Sequence, residues 1–165
     1  FHYIIQGGLL LSKIEYLFDR MEISDTVNRY ATGVDMRDWA LYRSCFTEEI
    51  EMNFKSWSGK DPQKFPVDEW VDTVRGTLSG FESTQHISSN HVTTIDGDNA
   101  TCVSYMQAQH YLPNDLCDNT CTLGGYYTNE LIKTSKGWKI CRCKFTVLWR
   151  TGDPRIFELA QENAF

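Results

Sequence analysis

Positive charge is scarce in this sequence. Sixteen Lys+Arg stand against 22 Asp+Glu, a formal net charge of −6, so no basic face is at hand to displace counterions from a phosphate backbone. Nucleic acid is not an expected partner. Long apolar runs are missing too: stretches such as Gly7 to Leu11 fall far short of the roughly 20 residues that span a bilayer, and no membrane association is expected. The opening residues lack the charged region and small-residue cleavage site of a secretory signal. Residues 1–12 read as a vector-derived leader or a disordered extension, with the domain proper at 13–165. There is no Gly-rich phosphate loop, no His-Glu-x-x-His pair and no Gly-x-Ser-x-Gly elbow, so phosphoryl transfer, zinc proteolysis and serine hydrolysis have no motif to rest on.

What is present suffices for one domain: 165 residues, 41% hydrophobic and 13% aromatic, enough for a single sizeable core and too little for two. The six cysteines do not have the spacing of a small secreted framework, and reduced thiols in a cytoplasm are expected. Cys117-x3-Cys121 and Cys141-x-Cys143 lack the x2 spacing of a zinc knuckle, so no metal or other cofactor is expected.

The period of the apolar residues changes once along the chain. From Lys13 to Val34 they recur at three and four, through Ile14, Leu17, Phe18, Met21, Val27, Tyr30, Ala31 and Val34, which predicts an amphipathic helix or helix pair ending near Gly33. Asp38 is placed to cap a short second helix, because its carboxylate can accept orphan N–H groups of the first turn. Ile50 to Phe54 alternates like an edge strand, Ser56 to Phe65 reads as a polar loop, and Pro66 opens a third helix. From Thr84 onward the period is two, with strands near 84–95, 100–112, 124–134 and 138–148 separated by turn signals at Asp96-Gly97-Asp98, 113–122 and Ser135-Lys136-Gly137. Arg155 to Gln161 reads as a terminal helical turn beside the opening. The expected fold is α+β: three N-terminal helices packed on a curved, mostly antiparallel sheet, a cone with an open interior.

Strand parity sorts the polar residues, since alternate side chains share a face. His86, Ser88 and Asn90 fall on one face of their strand, Met106 and His110 share one on the next, and Tyr127 and Asn129 on the third. His91 has the opposite parity and reads as surface or interface. Trp57, Trp70, Met106 and Trp149 suit an apolar ligand wall.

The run from Ile23 to Trp39, with Tyr30-x4-Asp35-x2-Asp38-Trp39, followed by Cys45-Phe46-Thr47 and Thr84-Gln85-His86, resembles the SnoaL-like branch of the nuclear transport factor 2-like superfamily. Gly124 to Glu130 and Gly137 to Ile140 fit its last two strands. Within that branch the chain is similar to bile-acid 7α-dehydratase and, more distantly, scytalone dehydratase. The resemblance implies a site in which His86 is general base and acid, Asp35 its orienting partner and Tyr30 the carbonyl polariser. It also implies His110 and Asn129 as substrate-binding residues, beside Asn90, Met106 and Trp57 from the residue reading. The expected activity is a cofactor-independent dehydration or isomerisation of a hydrophobic cyclic, polyketide-like or steroid-like molecule through an enolate. A non-catalytic binding module is the alternative, then an epoxide hydrolase or polyketide cyclase. Copies of the chain itself, in a homodimer or homotrimer through an outer sheet face bearing Val103, Tyr105 and Tyr111, are the expected macromolecular partners.

Overall fold

The structure is a computed structural model that describes the backbone of residues 2–163 and side chains from Ser12 to Asn163. The leader expected at 1–12 lies, but for Ser12, outside those described side chains, and the backbone of that stretch is helical from His2. Helix α1 spans His2–Asp35, α2 Trp39–Arg43, strand β1 Phe46–Asn53, α3 Lys55–Ser58, β2 Gln63–Pro66 and α4 Val67–Leu78. Strands β3 (Ser83–Asp96), β4 (Asn99–Tyr111), β5 (Thr120–Thr134) and β6 (Gly137–Gly152) follow, and α5 covers Ile156–Asn163. No helix among the described residues is long and apolar enough to cross a membrane.

The six strands form one sheet in the order β2-β1-β6-β5-β4-β3. All neighbours are antiparallel except β1 and β6, where Met52 lies beside Cys143. The helices cover one face, and the α+β cone expected from the change of period is what forms. Two expectations at the β1 end are corrected. Residues 56–65 are not a plain loop: they hold the last residues of α3 and most of β2, which pairs Phe65 with Ile50. Consequently β1 lies inside the sheet and β2 takes the edge, a four-residue strand that carries an exposed Lys64 and ends on Pro66 being a suitable edge.

Local chemistry explains the helix junction that sets the site. Asp38 accepts the Leu41 N–H at 2.9 Å and caps α2 as expected. Gly33 does not end α1, which runs on to Asp35; the glycine instead lets α2 pass close, since a Cβ there would lie 2.7 Å from the Tyr42 backbone nitrogen. Arg37 then turns the chain in the left-handed region, at φ 57°. The closed end of the cone is a dry core of Ile23, Val27, Cys102, Leu131, Trp138 and Ile140, each 3% exposed or less. Burial on this scale is the main stabilising term of the domain.

Candidate functional site

Asp35, the last residue of α1, faces β3 and is held from three directions. His86 Nδ1 lies 2.7 Å from its Oδ1, the His86 backbone N–H donates to Oδ2 at 2.6 Å, and the Thr84 hydroxyl donates to Oδ1 at 2.9 Å. Arg37 in turn donates to Thr84 Oγ1 at 2.9 Å and to the Val34 carbonyl at 2.7 Å. Burial by itself would raise the Asp35 carboxyl, but the His86 ring, its backbone N–H and Thr84 outweigh it and hold the group below its ordinary range. An ionised Asp35 keeps the ring proton on Nδ1, which leaves the Nε2 lone pair free to take a proton.

His86 sits at the floor of a cavity of about 430 Å3 that opens between α3, β2, α4 and α5. The walls are apolar and aromatic, among them Phe54, Trp57, Trp70, Met106, Phe145 and Phe157, while the mouth carries Lys60, Asp61, Gln63 and Gln161. Helix α5 forms one side: Phe157 packs on Trp57, Phe81 and His110 at centroid separations of 5.2, 5.1 and 4.6 Å. Size and lining match those of small-molecule sites.

Tyr30 is buried, 8% exposed, and lines the cavity beside His86. Its ring meets those of Tyr42 and Tyr127 at 5.0 and 5.4 Å, and the three hydroxyls share hydrogen bonds. Trp70 Nε1 donates to Tyr42 at 2.9 Å from behind. Burial, then the neighbouring Tyr127 and Tyr42, holds the Tyr30 phenol well above its ordinary value, so it is a neutral donor across the physiological range. His110 is 3% exposed, its Nδ1 donates to the Cys121 carbonyl at 3.2 Å, and its ring lies edge-on to His86 at 5.6 Å. Burial, with His86 adding to it, pushes the imidazole down to about 3. His110 is therefore a neutral ring whose other nitrogen can only accept.

The structure brings together Tyr30, His86, His110, Met106 and Trp57 around this cavity, with Asp35 directly behind His86. Asn129 lies deeper, 3% exposed, on a second cavity of about 10 Å3 that it shares with His86, Ser88 and Tyr30. Asn90 is corrected: it is exposed and lines neither cavity. The cause is a β-bulge. Ser89 pairs with Tyr105 and Val92 with Val103, so Asn90 and His91 together oppose Ser104. Asn90 takes φ 54° and points out. The same bulge puts His91 on the α1 side of the sheet, where it is half-buried between Ser24 and Ser88 at the edge of an open groove. Sequence reasoning also missed Thr84, Arg37, Tyr42 and Tyr127 as supports; Thr84 sits in the Thr-x-His motif, and Tyr127 shares the parity of Asn129. Among the described cavity-lining residues the only carboxylate is Asp61, paired with Lys55 at 2.7 Å, which leaves no inward carboxylate pair of the kind epoxide hydrolysis needs. No group of three or more candidate metal ligands occurs among the described residues.

Fold and site together define a SnoaL-like protein. The SnoaL-like domain profile matches residues 15–144, and the chain belongs to that family. Among solved structures it is similar to the Kfla4162 protein of Kribbella flavida, 29% identical, covering 88% of this chain and 99% of that one with a TM-score of 0.81. A candidate scytalone dehydratase of Novosphingobium aromaticivorans is 20% identical over 84% of this chain and 89% of its own, TM-score 0.73. A type 2 hexachlorocyclohexane dehydrochlorinase is 19% identical over 86% and 93%, TM-score 0.72. At these identities the last two establish the shared fold.

Proposed function

We propose that the chain is a cofactor-independent lyase or isomerase that acts on a hydrophobic cyclic hydroxy-ketone. The observation that carries this reading is the His86–Asp35 pair, 2.7 Å apart at the floor of a 430 Å3 apolar cavity beside Tyr30. His86 Nε2 removes a proton next to the carbonyl, the electron pair moves into an enolate, and the Tyr30 hydroxyl turns from its tyrosine neighbours to donate to the enolate oxygen. The enolate then expels a β-hydroxyl, which leaves as water with the proton from His86. Delivery of that proton to another carbon gives isomerisation instead. His110 accepts a hydrogen bond from a substrate hydroxyl, and Met106 and Trp57 bound the ring system. Two solved structures of the same fold, named for eliminations of hydrogen chloride and of water, support this class of step.

The test is a panel of cyclic β-hydroxy-ketones assayed for growth of enone absorbance. His86→Ala is expected to lower kcat by about 10²–10⁴-fold while the circular dichroism spectrum is unchanged. Turnover that survives this substitution overturns the reading and leaves a binding module. The exposed Tyr105 and Tyr111 on the outer sheet face would contact a second or third copy of the chain, which sedimentation as a monomer would refute.

A further inference from the structure

The 10 Å3 cavity behind His86 leads somewhere. Its polar lining is His86, Ser88, Asn129, Tyr30 and Tyr127. Asn129 Oδ1 is buried without a hydrogen-bond partner, as is Ser104 Oγ opposite the bulge. A volume of about 10–15 Å3 with two to four polar neighbours is what one buried water requires, and an unpartnered carboxamide oxygen in such a space needs an explanation of this kind. Ser88, on the wall of the cavity, bonds His91 Nε2 at 2.9 Å, and His91 Nδ1 bonds Ser24 Oγ on α1 at 2.7 Å. Ser24 and His91 line a solvent-open groove between α1 and β3, together with Arg20, Asp25 and Thr93.

We propose that one water in the small cavity, then Ser88, His91 and Ser24, form a rear proton path that connects His86 to solvent while substrate fills the mouth. The inference rests on the enolate reading above. Each step is a single hop. The His86 imidazolium gives its Nε2 proton to the water and keeps the Nδ1 proton in its hydrogen bond to Asp35, the water gives one to Ser88, Ser88 passes its own to His91 Nε2, His91 releases that on Nδ1 to Ser24, and Ser24 releases one to the groove. Every group gains and loses one proton, so no other reactant is required. A ring with a hydroxyl on each nitrogen can do this by changing tautomer, and burial favours its neutral form. The bulge is the second observation. A non-glycine residue at φ 54° costs free energy, and here that conformation is what turns His91 from the outer face to the inner one. Such a path frees the site from returning every proton to the leaving group, so it admits substrates whose leaving group departs as an anion.

Deuterium exchange into β-tetralone in deuterium oxide, followed by proton NMR, tests this. The wild type is expected to exchange the protons next to the carbonyl with a full primary isotope effect, and His86→Ala to fall to the buffer rate. His91→Gln retains a donor and an acceptor for the two serines but cannot change tautomer; Ser88→Ala interrupts the path with little change of volume. In both, exchange is expected to slow about tenfold and its primary isotope effect to collapse toward unity, because washout in place of C–H cleavage becomes limiting. A merely structural role would slow cleavage and keep the isotope effect. Unchanged rate and isotope effect in both variants overturn the path alone. Absence of His86-dependent exchange in the wild type overturns the enolate reading, and the path with it.

Discussion

The two ends of the cone are built from the same strands and have opposite chemistry. Along β4 the inward residues run Ala100, Cys102, Ser104, Met106, Ala108, His110; along β5 they run Leu131, Asn129, Tyr127, then Gly125, Leu123 and Cys121. At the hairpin end α1 lies on the sheet, and Ile23, Leu131, Trp138 and Ile140 fill the space between them. Toward the other end the helices diverge from the sheet and a cavity of about 430 Å3 remains, floored by histidines and tyrosines. The lesson is a division of labour. The closed end supplies burial, and the surplus free energy tolerates at the open end an unfilled space and a buried imidazole.

Three substitutions break or sharpen that contrast. Trp138→Ala at the closed end removes a fully buried ring whose Nε1 donates to Asp19 at 2.8 Å, and is expected to cost about 3–5 kcal/mol in urea unfolding. Activity per folded molecule should be retained, since no lining residue is touched; a specific loss of turnover would erase the distinction between the ends. Asp35→Asn at the open end should do the reverse, lowering kcat by about 10²-fold with only a small change in the unfolding midpoint. An amide cannot stabilise the imidazolium, and it leaves the His86 tautomer unfixed. The smallest effect concerns pH. The unfolded chain takes up a proton on His110 near pH 6.5, whereas the folded ring stays neutral down to about 3. The unfolded state therefore binds more protons in that window, and stability is lost as pH falls through it. His110→Phe should flatten this part of the stability profile, measured as Tm against pH; an unchanged slope would show that the ring is protonated in the fold.

Much of the fold was legible from period alone. The switch from three-and-four to two marks where helices give way to the meander, and Asp38 announces its cap through the type of side chain a first turn needs. The β1 region was not legible, because a four-residue strand such as Gln63–Pro66 carries too few alternations to stand out from a polar loop. Tyr30, Asp35 and His86 were named from the motif, His110 and Met106 share a strand face, and Trp57 was named for its apolar ring alone; the structure gathers them at one cavity, with Asp35 behind His86. Asn90 and His91 were misread for one reason. Parity assumes an unbroken ladder, and a single extra residue exchanges the faces of everything that follows it on the strand, so that Val92 points out and Thr93 in.

The sequence by itself determined the fold class, the Asp38 cap, the faces of β4 and β5, and the chemical kinds of group available to a site. These follow from local propensities and from the geometric periods of helix and strand, which each residue carries with it. Only the tertiary structure decided that Asp35 and His86, 51 positions apart, meet within hydrogen-bond distance, that His110 is held neutral, and that His91 turns inward between two serines. Those outcomes depend on how closely α2 can pass Gly33, where one strand bulges, and how much water the closed cone excludes. All three are properties of packing, and no single segment of the chain contains them.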